Sequence, residues 1–154
     1  MSDAAVLPLP TYKHRPGENA RPDDGFLEDI AHSAPEFTDP RRHANNVAWQ
    51  YGVRLIDNGF YWEAHEVLEP VWFRCPEKSR ERFFVQALIQ YANACLKAEM
   101  GRHNAARRLA VIAEELLFEA RAGDHDGELM GLNPVDYSDR IERLQNELIV
   151  HNNA

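Results

Sequence analysis

Residues 60–73 read Phe-Tyr-Trp-Glu-Ala-His-Glu-Val-Leu-Glu-Pro-Val-Trp-Phe. Set about 100° apart, as on an α-helix, Tyr61, His65, Leu68, Glu69 and Trp72 fall on one face, flanked by Trp62 and Phe73. Phe60, Ala64, Val67 and Val71 take the opposite side, which leaves Glu63 and Glu66 for a wet edge. A helix apolar on nearly all sides is a buried helix. His65 and Glu69 are four residues apart, the spacing at which side chains meet. An unpaired buried carboxylate costs several kcal/mol or takes up a proton, so a buried Glu69 needs His65 as its partner.

The segments on either side are also helical. Thr38-Asp39-Pro40 reads as a cap followed by a first-turn proline, and Ala44, Val47, Ala48, Tyr51 and Leu55 then recur at helical spacing up to a stop at Asn58-Gly59. Beyond residues 60–73, helices are predicted over 79–100, stopped by Gly101, and over 104–122, closed by Gly123. A fifth begins at Asn133-Pro134, with Tyr137, Ile141, Leu144 and Leu148 on one stripe. Gly59 precedes Ala64 by the interval at which Gly101 precedes Ala106, a weak internal repeat. Ala106, Ala110 and Ala113 share a face that admits a close helix neighbour. The expected fold is all-α: a single-domain bundle of about five helices, built on two antiparallel helical hairpins over residues 38–154.

Ahead of it, residues 1–37 are expected to be an extended arm, either disordered or laid over the body. Six of the nine prolines fall in the first forty residues, so no long helix is possible there. Tyr12, Phe26 and Phe37 give the arm aromatic groups with which to dock.

At 154 residues the chain can bury a core without staples. Its net charge of -8 is the wrong sign for holding phosphate backbones, so nucleic acid is not expected as a partner. No apolar run approaches the roughly 20 residues of a membrane span, and the N-terminus lacks the basic-then-apolar pattern of a secretory signal. Cys75 and Cys95 stand in no metal or redox spacing. A reduced, cytoplasmic location is the expectation.

Three stretches together resemble one family. Gly59 to Trp72, G-F-Y-W-E-A-H-E-V-L-E-P-V-W, is similar to the H-E-x-L-E-x-x-W signature of the domain of unknown function 309 family. Residues 83–94 resemble its second motif, with Gln86 and Gln90 matching and Ala87 where glycine is usual. Residues 102–109 resemble a third, at Asn104, Ala106 and Leu109. The resemblance spans residues 46–117 and implies an all-helical fold, but no reaction, substrate or cofactor.

On the predicted third helix Gln86, Gln90, Asn93 and Lys97 form a polar stripe amid apolar residues. Amides suit a partly buried lining, and Gln86 and Gln90 are expected to face His65 and Glu69. His65, Glu69, Trp72, Gln86, Gln90 and Asn93 are therefore the candidate ligand-binding or polar-network residues. Such a cluster serves as a packing network, as a pocket for a small molecule or protein partner, or as a hydrolase site with Glu66 or Glu69 as base and His65 beside it. No metal or other cofactor is expected: a zincin would carry a second histidine where Glu69 stands, and His103 is the nearest candidate for a third ligand. The run 123–128, with Asp124 and Asp126, lacks the glycine and terminal glutamate of a calcium loop. The expected function is a non-catalytic module that binds a small molecule or a protein; a homo-oligomer is compatible with it.

Overall fold

Two glycines end two helices in the same way. Gly59 and Gly101 take φ of 81° and 77°, a region costly for any residue with a Cβ. Gly59 donates its N–H to Ile56 and Phe60 to Leu55; Gly101 donates to Ala98 and Arg102 to Lys97. Each pair closes the last helical carbonyls in a Schellman turn. Ala64 and Ala106, five residues after each glycine, are both fully buried.

The computed structural model describes residues 3–23, 25–122 and 127–152. The helices are α1 (Phe26–His32), α2 (Val47–Asp57), α3 (Tyr61–Phe73), α4 (Arg80–Glu99), α5 (His103–Arg121) and α6 (Pro134–Asn152), with 3-10 turns at Asp3–Val6 and Pro40–Asn45. Among the described residues there is no β-strand, only an isolated bridge between Leu129 and Leu132. The fold is an all-helical bundle. Gly123, Asp124 and Asp126 lie outside the described residues.

One predicted helix divides. Asp39 caps the Pro40–Asn45 turn through Arg41 N–H, as its position before proline suggests. Asn46 then turns extended and accepts from Trp49 N–H at 3.1 Å, starting α2 afresh. An asparagine that caps a new helix ends the old one, because its side chain satisfies an amide that a continuous helix would satisfy itself.

The core joins Trp49, Tyr51 and Leu55 of α2, Val67, Leu68 and Val71 of α3, Phe84 and Leu88 of α4, and Ile141 and Leu148 of α6. α3 packs on both α2 and α4, and α4 packs most extensively on α5. Ala106, Ala110 and Ala113 are all fully buried, which is what lets α5 lie so close to its neighbours.

The N-terminal segment is docked, though not chiefly by the aromatics that suggested it. Phe26 meets Tyr51 edge-to-face at 6.0 Å, but Tyr12 and Phe37 stay exposed. Most of the holding is done by donors from α2 reaching arm carbonyls. Tyr51 donates its hydroxyl to Pro8 O at 2.6 Å, and Arg54 donates to Ala4 O at 3.0 Å and to Leu7 O. A proline-rich strand has few amides to offer but many free carbonyls, so it suits neighbours that are pure donors. Arg54→Ala is therefore expected to speed amide exchange across residues 3–9 by roughly tenfold, for about 1–2 kcal/mol of lost hydrogen bonding. Unchanged exchange would show that the arm is held without Arg54.

Candidate functional site

The predicted cluster comes together only in part. His65 Nε2 and Glu69 Oε2 are 3.4 Å apart, as four-residue spacing on α3 requires. Their side chains are 34% and 60% exposed, so the pair lies at the surface and the expected burial of Glu69 is corrected. A surface pair of this kind contributes well under 1 kcal/mol. Glu66 faces Arg21 of the arm at 3.8 Å and, with Glu69, Pro70, Phe73 and Arg74, borders a shallow open depression. Gln86, Gln90 and Asn93 are half-buried on α4, and among the described residues none of them hydrogen-bonds to His65 or Glu69. Trp72 lies under the Arg82 guanidinium at 4.5 Å.

The buried carboxylate of α3 is Glu63, which the helical wheel assigns to a wet edge. Its exposure is 0%, because the arm crosses it. His14 N–H donates to Glu63 Oε2 at 2.8 Å, and the His14 ring stands edge-on to Trp62 at 4.5 Å. Asn19 holds this bend, contacting His14 Nδ1 at 2.9 Å and Arg15 N–H at 3.0 Å. Glu63 Oε1 has no hydrogen-bond partner among the described residues. Burial raises the Glu63 pKa above the usual carboxylate range, against the His14 amide bond and the nearby charges of His14 and Lys13.

The polar groups that converge on open space lie elsewhere. Where α6 packs along α4, near the end of α2 and the start of α3, an open cavity of about 430 Å³ is lined by Asp57, Tyr61, Tyr91, Cys95, Arg140, Arg143 and Glu147, over Ile56 and Leu144. Tyr91 and Cys95 are one turn apart on α4, and Tyr61 reaches in from the first turn of α3. Arg140 is fixed from two sides: its guanidinium lies over Tyr137 at 4.7 Å and donates to Asp57 Oδ1 at 2.9 Å. Tyr137 is held in turn by edge-on contacts with Phe84 at 5.9 Å and Tyr91 at 6.3 Å. Arg143 is exposed at the mouth and, among the described residues, without an ion pair.

Protonation in the cavity follows from burial. Desolvation raises the Tyr61 and Tyr91 pKa values far above neutrality, so both phenols stay neutral donors. Burial pushes the Cys95 thiol up to about 11, against the opposing hydrogen bonds of Tyr91 and Tyr61. Burial would lower the Arg140 pKa, but the Asp57 hydrogen bond together with the electrostatic pull of Tyr137, Asp57 and Tyr91 outweighs it, and the guanidinium stays charged. At neutral pH the cavity therefore offers guanidinium and hydroxyl donors and a protonated thiol. Among the described residues, no three of His, Cys, Asp and Glu stand together in a way that could hold a metal ion.

Residues 49–109 match the family described as a domain of unknown function (DUF309). The chain carries a domain of this family. The DUF309 segment runs from α2 into α5, and thus contributes Ile56, Asp57, Tyr61, Tyr91 and Cys95 to the cavity, while Arg140, Arg143, Leu144 and Glu147 come from α6 outside it. No curated protein and no solved structure matches the chain at a significant level.

Sequence reasoning passed over most of this site. Cys95 stands in no metal or redox spacing, and on the predicted fifth helix the legible feature is the apolar stripe of Tyr137, Ile141, Leu144 and Leu148, which says nothing of Arg140 and Arg143. The one available signal was the Tyr91/Cys95 pair, polar groups one turn apart on the same helix as the Gln86/Gln90/Asn93 stripe.

Proposed function

We propose that the protein is a non-catalytic binding module whose ligand is a small molecule bearing an acidic group. The observation that carries this reading is the cavity with Arg140 pre-set by Asp57 and Tyr137, and Arg143 exposed at its mouth without an ion pair among the described residues. Its volume, about 430 Å³, suits a small metabolite-sized molecule. A guanidinium held in place before binding loses little freedom when a carboxylate or phosphate arrives, and neutral phenols add hydrogen bonds without charge repulsion. Asp57 and Glu147 on the same rim disfavour ligands of high negative charge, so a single acidic group on a partly apolar body fits best.

Chemistry has less support here. A thiol near 11 yields almost no thiolate at neutral pH, and Cys75 is likewise pushed up to about 12 by burial. The candidate hydrolase residues share no enclosed space: His65 and Glu69 form a partly exposed pair, while Glu66 lines a separate small pocket with Trp62 and Leu27, where Arg21 faces it. Two buried, unpaired cysteines fit a reduced, cytoplasmic setting. No helix among the described residues is long and apolar enough to cross a membrane.

The test is a thermal-shift panel of small monocarboxylates, dicarboxylates and phosphate monoesters beside their neutral amides or alcohols. At about 100 times Kd, a bound acid adds about 2.7 kcal/mol and raises Tm by several degrees. Arg140→Gln/Arg143→Gln is expected to weaken such a ligand by roughly tenfold to a hundredfold. A panel in which no acid outperforms its neutral analogue, or a shift that survives in the double variant, would overturn the reading.

A further inference from the structure

Apart from Arg121 in its last turn, α5 carries its charges in the order that its own dipole disfavours. Arg107 and Arg108 lie in the N-terminal half, and Glu114, Glu115 and Glu119 in the C-terminal half. Helix stability calls for the reverse, acids first and bases last. Arg107 is used within the chain, donating to Leu148 O at 3.1 Å and to Asn104. Arg108, Glu115 and Glu119 are exposed, and among the described residues none of them forms an ion pair.

Between these charges the helix leaves apolar groups in water. Val111, Ile112 and Phe118 are 46%, 36% and 65% exposed. Ile112 and Phe118 line an open depression of about 710 Å³ whose other walls include Glu114, Glu115 and Glu119. At about 100° per residue, Arg108, Val111, Ile112, Glu115 and Glu119 share one broad face. None of them lines the cavity between α2, α3, α4 and α6.

We propose that this face is the contact of a two-fold dimer, occupied by α5 of a second copy running antiparallel. A partner that is basic throughout would meet Glu115 and Glu119 but be repelled by Arg108. The surface that matches a base-then-acid helix is the same helix reversed. A two-fold axis passing between Val111 and Ile112 sets Arg108 opposite Glu115 of the second copy, and Glu115 opposite its Arg108. The same register puts Val111 against Ile112 of the second copy, and the arrangement is isologous, so it closes at two. It also opposes the two helix dipoles, which accounts for a charge order unfavourable to an isolated helix.

Sedimentation velocity over a concentration series tests this with wild type, Val111→Asp, Arg108→Glu and Arg108→Glu/Glu115→Arg. All three positions are exposed, and circular dichroism is the check that each variant folds. Wild type is expected to sediment as a dimer and Val111→Asp as a monomer. Arg108→Glu should weaken the dimer by roughly tenfold or more, and the charge exchange should restore it to within about threefold of wild type. A wild type that is monomeric across the series would overturn the proposal. So would a dimer indifferent to Val111→Asp or to Arg108→Glu, or a charge exchange that fails to restore what Arg108→Glu removes.

Discussion

Replacing Gly52 with valine is expected to destabilise the protein by about 3 kcal/mol and to lower Tm by roughly 6–12 °C. Glycine inside a helix is ordinarily a weakness, and alanine there would gain up to about 1 kcal/mol. At position 52 the balance reverses. A Cβ would stand 2.3 Å from Leu68 Cδ2 and 2.5 Å from Leu68 Cγ. Leu68 is fully buried among Val67, Val71, Leu55 and their neighbours in the core, and so has nowhere to retreat. The close crossing of α2 and α3 depends on this missing side chain. Gly52→Ala should cost about 1–2 kcal/mol despite its better helix propensity, and Gly52→Ala/Leu68→Ala should be more stable than the two single changes predict when added. A Gly52→Ala variant that melts at or above wild type would show that the helices are not in contact there.

The second large effect belongs to Glu63. Truncation to alanine leaves the His14 N–H buried without an acceptor and opens a void beneath the arm, a loss of about 2–3 kcal/mol or roughly 4–12 °C. Glu63→Gln is expected to behave differently, because an amide oxygen still accepts from His14 without burying a charge. The pH dependence separates the two causes. Burial holds the folded-state pKa of Glu63 above its ordinary value of 4.5, so the folded chain binds this proton more tightly than the unfolded chain. Its contribution to stability is fully present below 4.5 and is lost as pH rises through the folded-state pKa. His14 and Lys13 from the arm act against the shift, while Tyr51 on α2 has its own pKa raised by burial and, to a lesser degree, by Glu63, against the charge of Arg54. In melts from pH 4 upward, Glu63→Gln should therefore lose less stability than wild type with rising pH and match or exceed it near neutrality. Parallel pH profiles for the two proteins would mean that Glu63 does not change its proton affinity on folding.

These two residues also mark where sequence reading succeeds and where it stops. Local chemistry is legible: Gly59 and Gly101 end helices, Asp39 caps a turn, and the alanines at 106, 110 and 113 reach the core. The His65/Glu69 contact is legible as well, since four-residue spacing on a helix fixes it. What the wheel of α3 lacks is knowledge of what covers each side. Glu63 looks like a solvent position until His14, edge-on to Trp62, is known to donate to it, and the path of the arm depends on Tyr51 and Arg54, some forty to fifty residues away from the carbonyls they hold. Glu69 looks buried because its neighbours are aromatic, yet Trp72 and Phe73 end the helix near the surface, where Phe73 is 70% exposed. The cavity is harder still to foresee. Its basic side comes from α6, and no local pattern says that α6 lies across Tyr61, Tyr91 and Cys95.

The most direct measurement of the binding claim is an NMR titration with an acid that raises Tm in the panel, following the tyrosine ring, arginine Nε–H and histidine ring resonances together. The cavity reading predicts saturable shifts at Tyr61, Tyr91, Arg140 and Arg143, with His65 unmoved. Shifts centred on His65 with the two tyrosines unmoved would contradict it and return the site to the surface pair on α3.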